Sequence, residues 1–213
     1  MSSSAKAKAT SRGGSAQDSL SSSLQEQSLV LLKPDAVQRG LVGEIISRFE
    51  RCGLKLIAMK MVYPNEQLAG EHYAADEEWL VMVGEKQKEA YKKKGVVVEE
   101  SEREIGLRVR EQLMQFLSMS PVVALVLQGH NAVAHIRKLV GATSPGDAPP
   151  GTIRGDYSFD TYQLADASRR PIQNLIHASG TVEEAKREIA VWFSKEELHE
   201  WTRIDETLLY RQG

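Results

Sequence analysis

The chain has 213 residues, 41% hydrophobic and 26% charged, values of an ordinary globular protein with room for one full domain and some decoration. Its 27 basic and 29 acidic residues leave a net charge of -2, which excludes a protein built on non-specific nucleic-acid binding and leaves only a local basic cleft open. A single cysteine excludes an internal disulfide and fits a reducing, cytoplasmic setting, and no apolar run approaches the roughly 18 residues of a membrane span.

Residues 1–27 are rich in Ser, Ala and Gly and nearly devoid of large apolar side chains. Such a segment buries too little surface to offset its ordering entropy, so a disordered tail is expected, with the folded domain over 28–213. The tail lacks the apolar core of a secretory signal, and Arg12 is its only arginine, too few for a transit peptide.

Ser28 to Leu32 is a continuous apolar run of strand length, ended by Lys33-Pro34-Asp35, and reads as a buried central strand. Val42, Ile45, Ile46, Phe49 and Cys52 then recur at helical spacing before Gly53, a helix stop; Cys52 reads there as a small packed side chain. Leu54 to Tyr63 is a second strand and residues 65–73 a short helix. Residues 85–94 are lysine-rich and read as an exposed helix or loop, with Lys92-Lys93-Lys94 a solvated charge run. Ile105, Val109, Leu113, Phe116 and Leu117 mark an amphipathic helix.

Pro121 to Leu127 is the third strand, ended by Gly129, and Val133, Ile136, Leu139 and Val140 form a helix closed by Gly141. Residues 142–173 are polar and rich in Gly and Pro, a long loop of the kind that carries function. Leu175-Ile176-His177 is a short fourth strand. Thr181 with Glu184 makes a capping box for a helix burying Val182, Ala185, Ile189, Trp192 and Phe193, and Ser194 with Glu197 repeats it for a short last helix. Two successive βαβ units predict an α+β, ferredoxin-like split βαβ sandwich: a four-stranded antiparallel sheet with helices on one face, plus an inserted helical segment.

The usual nucleotide signatures are missing. Neither a Gly-x-x-x-x-Gly-Lys-[Ser/Thr] loop nor a Gly-x-Gly-x-x-Gly turn occurs. The scattered histidines and lone cysteine do not provide a protein metal cage. His177 is the histidine whose context differs from the rest. It closes the run Asn174-Leu175-Ile176, with Ser179 two residues on, Glu188 eleven on and a helix starting between them. A strand end facing a helix N-terminus is a common seat for chemistry on anions. From these residues alone His177 is either a nucleophile oriented by Ser179 and Glu188 or a structural histidine with a carboxylate partner. His72, His130, His135 and His199 have no special sequence neighbours and are expected on the surface or in satisfied structural roles. Arg154 sits in the Gly-flanked stretch Gly151-Thr152-Ile153-Arg154-Gly155, where small neighbours let a guanidinium meet a ligand. Arg137 reads equally as a solvent-facing charge, and Lys33 as a ligand group or a snorkelling side chain.

Four stretches, taken together, resemble the motifs of nucleoside diphosphate kinases. They are Lys33-Pro34-Asp35 through Ile45, Pro121-Val122-Val123-Ala124, Pro149-Pro150-Gly151 through Asp156, and Asn174-Leu175-Ile176-His177-Ala178-Ser179, in the family's order. The resemblance implies that His177 takes the γ-phosphate of ATP or another nucleoside triphosphate and passes it to a diphosphate in a ping-pong exchange. Glu188 and Ser179 would orient the imidazole, and Arg137, Thr143 and Arg154 would hold phosphates. Lys33 and Asn174 would meet the ribose, with Tyr73 beside the histidine. It further implies Mg2+ carried mainly on the nucleotide and a homohexamer or tetramer, with neither membrane nor specific nucleic acid as partner. Against the family pattern there are insertions over about residues 77–118 and 157–173, with Arg169-Arg170 in the second. Ala178 and Gly180 replace a glycine and an aspartate around Ser179. The family's base-stacking aromatic falls within the first insertion, where Trp79 is the candidate. A non-catalytic nucleotide-binding or scaffold protein of the same fold remains the alternative. A nucleic-acid role for the lysine run and Arg169-Arg170 is a third reading, which the net charge does not favour.

Overall fold

The computed structural model describes residues 24–93 and 95–210; most of the expected tail, residues 1–23, and Lys94 of the lysine run lie outside the described residues. Strands β1 (Gln25–Leu32), β2 (Lys55–Val62), β3 (Val122–His130) and β4 (Ile176–Ala178) form one sheet in the order β2-β3-β1-β4. Every neighbouring pair is antiparallel, so β1 and β2 run the same way with β3 between them. This is the split βαβ arrangement predicted. The helices are α1 (Pro34–Gln38), α2 (Val42–Arg51), α3 (Glu66–His72), α4 (Glu77–Lys93), α5 (Glu102–Leu117), α6 (Ala132–Val140), α7 (Ile153–Tyr157), α8 (Tyr162–Ala167), α9 (Val182–Trp192) and α10 (Glu206–Leu209).

The core has two layers. Val30, Leu32, Val123, Leu125 and Leu127 project to one face of the sheet, against Ile45 and Phe49 of α2 and Ile136 and Val140 of α6. Leu29, Leu31, Val122, Ala124 and Val126 project to the other, against Met114 and Leu117 of α5 and Ile189 and Trp192 of α9. The expectation of helices on one face is therefore corrected, because α3, α5 and α9 cover the second face as well. The cause was visible in β1: a strand buried on both sides reads as an unbroken apolar run. Each fully buried Leu, Ile or Phe here stabilises the fold by about 1.5–3 kcal/mol.

Other boundaries move for local reasons. β1 begins at Gln25, inside the expected tail, and pairs with β3 as far as His130, beyond the Gly129 stop. Polar strand ends pair through their backbones, which hydrophobic patterning does not register. Cys52 is exposed at the end of α2 rather than packed. Residues 85–94 fall largely in α4, which crosses α5 so tightly that a Cβ on Gly84 would lie 1.8 Å from Glu102 O and one on Gly106 2.2 Å from Leu80 O. The long loop over 142–173 contains α7, α8 and a 3-10 turn at Pro145–Asp147, elements too short to leave a helical period. At α9 the Thr181 side chain accepts from Glu184 N–H, but Glu184 reaches the Gly180 N–H instead of closing the box on Thr181. The Ser194–Glu197 box is complete and caps a single 3-10 turn, Lys195–Glu197.

Candidate active site

β4 is three residues long and sets His177 opposite Leu31 of β1. Just before it, Leu175 has φ 67°, a left-handed conformation that a bulky residue keeps only when its surroundings hold it. The hold comes from far away in sequence. Lys33 N–H donates to Leu175 O (2.8 Å), and Leu175 N–H donates to Asp35 Oδ2 (2.9 Å), a partner 140 residues distant. Lys33-Pro34-Asp35 thus braces the turn that aims His177. Sequence reading singled out Lys33 but assigned no role to Asp35.

The imidazole is fixed from its buried side. His177 Nε2 lies 2.8 Å from Glu188 Oε1, and Ser179 Oγ donates to Glu188 Oε2 at 2.6 Å. Ser179 and Glu188 are both buried, and the first turns of α9 carry Glu188 under the strand end. Burial pushes the Glu188 carboxyl upward, but hydrogen bonds from His177 and Ser179 and the charges of His177 and Arg187 outweigh it and hold the group below its ordinary value. In the neutral form of the His177 ring, an ionised Glu188 places the proton on Nε2 and leaves the Nδ1 lone pair free.

One neighbour escaped the sequence reading. His72, the last residue of α3 and 2% exposed, meets the His177 ring at 89° with centroids 4.6 Å apart. Its Nδ1 accepts from Trp192 Nε1 at 3.3 Å, and its Nε2 is buried without a hydrogen-bond partner. An unpaired buried N–H costs about 1–3 kcal/mol. Burial first, then the charges of His177, Lys33 and Arg187, drive the His72 pKa well below that of a free histidine, so the ring is neutral. The contact spans 105 positions, and its only sequence signal is adjacency to Tyr73. The expectation of a satisfied or surface role for His72 is corrected on this ground.

Around the chain segment that leads into β4 the groups are cationic or open. Arg154 is buried, and its guanidinium donates to four backbone carbonyls, those of Asn174, Gly141, Ala142 and Ile176. Of its five N–H groups, one on Nη2 remains for a ligand. Arg137 is exposed on α6, and burial first, then the nearby Arg137 charge, lower the Arg154 pKa to about 10. Lys33 Nζ donates to Asn174 Oδ1 (2.9 Å), and Asn174 Nδ2 donates to the carbonyl of the exposed Thr143 (2.8 Å). Burial and Arg154 lower the Lys33 pKa to about 8, against the opposing pull of Asp35. Tyr73 closes α3 beside His72, its phenol pushed up by burial and by the Glu188 and Asp35 carboxylates. Arg110 donates to the Tyr73 and Gly70 carbonyls and so ties α5 to this end of α3. The aromatic ring that meets a site residue from α5 is Phe116, 6.0 Å from Lys33 Nζ; Trp79 lies on α4, its N–H bonded to Asp76.

Among the described residues one set, His72, His177 and Glu188, has the composition of metal ligands. Both Glu188 oxygens already accept hydrogen bonds and His72 Nδ1 accepts from Trp192, so the carboxylate of the set is engaged by protein donors. The set reads as a proton-ordering network.

A family model described as nucleoside diphosphate kinase matches residues 26–80 and 102–198. A nucleoside diphosphate kinase of Pyrobaculum aerophilum is 47% identical over 180 residues, covering 82% of this chain and 98% of its own. One of Pyrococcus furiosus is 42% identical, covering 84% and 89%. Among solved structures, an NDP kinase from Pyrobaculum aerophilum matches with a TM-score of 0.81 at 46% identity, over 83% of this chain and all of that one. A Borrelia burgdorferi enzyme, solved as a transition-state mimic with vanadate and ADP, matches with a TM-score of 0.72 at 38% identity, over 87% and 97%.

Proposed function

The chain belongs to the nucleoside diphosphate kinase family, and we propose that it carries the transferred phosphate on His177 Nδ1. As a member of that family it moves the γ-phosphate of a nucleoside triphosphate to a nucleoside diphosphate. The observation that carries the residue assignment is the 2.8 Å bond from His177 Nε2 to the buried Glu188 carboxylate. In the first half-reaction the Nδ1 lone pair forms a bond to the γ-phosphorus while the bond to the β–γ bridging oxygen breaks. The departing diphosphate takes the electron pair. The phosphorylated ring keeps its Nε2 proton and becomes cationic, and Glu188, already in place, meets that charge without reorganising. A terminal oxygen of the second diphosphate then attacks phosphorus, the N–P bond breaks and the neutral imidazole returns.

Position supports the remaining assignments. Arg137, Thr143 and the free Nη2 N–H of Arg154 face the phosphates, and Lys33 with Asn174 faces the sugar. Contacts of that kind read no base and favour a broad range of nucleotides. Mg2+ enters as part of the nucleotide substrate and neutralises phosphate charge there. We read the residues from Gln25 onward as one domain of this family, since β1 begins there, and place the protein in the cytoplasm on the strength of its lone cysteine. An assembled form, hexamer or tetramer, is supported by the exposed Met59, Met61 and Tyr63 along and just past the edge strand β2. Mass in solution decides its size.

Labelled ATP should give an acid-labile, base-stable phosphoprotein that GDP discharges and that His177→Ala abolishes. Label persisting in that variant, or nucleotide binding without exchange in the native chain, would overturn the reading.

A further inference from the structure

The neutral His72 ring has one proton to place. With the Trp192 N–H pointing at Nδ1 from 3.3 Å, a proton on Nδ1 would set donor against donor. Nδ1 therefore carries the lone pair, and the proton sits on the unpartnered Nε2. The same Nδ1 lies 3.7 Å from Glu188 Oε1, the oxygen that takes the His177 bond, and Arg187 Nη2 lies 3.8 Å from it. With a lone pair facing the carboxylate, His72 offers it nothing. A proton at Nδ1 would make His72 a second donor to Oε1 and draw the carboxylate off His177.

We propose that His72 is a positioning residue for phosphoryl transfer, a non-donor held in one tautomer by Trp192 so that Glu188 Oε1 stays committed to His177. The proposal rests on His177 being the phosphate carrier. Other side chains at this position serve less well. An apolar ring leaves the buried Trp192 N–H unpaired, and an amide can turn its NH2 toward Glu188. Imidazole accepts from the tryptophan without donating to the carboxylate. The ionisable groups around it are His177 on β4, Glu188 and Arg187 on α9, Lys33 at the end of β1 and its own neighbour Tyr73. Burial most of all, and then His177, Lys33 and Arg187 among these groups, disfavour a charge on His72.

The test begins with the native full-length protein carrying histidine-selective 15N labels. The His72 ring should show a protonated Nε2 and a bare Nδ1, unchanged between about pH 5.5 and 8.5. Trp192→Phe should move that proton to Nδ1. With ATP saturating, Trp192→Phe and His72→Gln should each slow phosphoenzyme formation about tenfold and displace its pH profile, with little change in nucleotide KM. His72→Phe, a ring that cannot donate, should slow it by less than about threefold despite a lower melting temperature. A native ring protonated at Nδ1, or equal rates and pH profiles across the folded variants, overturns the proposal while leaving the carrier assignment intact. Label surviving in His177→Ala removes the carrier assignment itself.

Discussion

The two sides of the His177 ring are built on different plans. Behind it, Glu188 (1% exposed), Ser179 and His72 are sealed from water, and each acceptor on the carboxylate has its donor in place. On the side we assign to the phosphates, Arg137 and Thr143 stand in solvent, and Arg154 spends most of its donors on the protein's own carbonyls. The difference follows from what each side meets. The charge that develops on the imidazole appears only during transfer, so its partner has to be fixed beforehand. The phosphates arrive already charged, so the open side has only to receive them.

Glu188→Gln strikes the sealed side and carries the largest expected effect. The transfer rate should fall about a hundredfold or more while nucleotide KM moves little; a KM rise matching the rate loss would erase the distinction between the sides. Next come the two arginines of the open side, which should separate cleanly. Arg154→Met strips the partners from buried carbonyls and should cost about 3 kcal/mol of stability in denaturant unfolding. Arg137→Ala should lower kcat/KM about tenfold with the melting temperature unmoved. If both arginines affect only one quantity, the structural role given to Arg154 fails.

Lys33 tests the seam between the sides by pH. Its folded pKa of about 8 lies below the 10.5 of a free lysine, so the buried ammonium costs stability at neutral pH, and that cost fades as pH rises from about 8 to 10.5. Nucleotide binding should run the other way, weakening above pH 8 as the ammonium is lost, and Lys33→Met should abolish this alkaline limb in a titration of affinity against pH. The smallest effect is expected far from both sides. The Arg103–Glu77 pair between α5 and α4 is mostly exposed, and Arg103→Ala should leave melting temperature and exchange rate within error.

Much of this was legible in the sequence where the signal was local. Ser179 and Glu188 fall two and eleven residues after His177, within one strand-to-helix passage, so their convergence could be read from spacing. The strand order followed from two βαβ units. What could not be read were contacts made across the sheet. His72 meets His177 only because α3 and β4 end at the same place, and Asp35 reaches Leu175 only because β1 lies beside β4. The second helical layer was hidden similarly: α9 shows an apolar stripe, but nothing in the stripe names the face it covers. α7 and α8 span five and six residues, under two turns, and so gave no period to find.

The brace at Leu175 has a bearing on how the protein comes into being. Its two halves, Lys33 with Asp35 and Asn174 with Leu175, come from opposite ends of the fold, and among the described strands β4 pairs with β1 alone. On a ribosome, the groups that would face sugar and phosphate emerge first, and the nucleophile can be aimed only after nearly the whole domain has left the exit tunnel. A nascent chain halted before residue 176 keeps the open edge of β1 uncovered, a surface prone to pair with other strands. Activity should therefore appear late and all at once during synthesis, with no partially competent fragment preceding it.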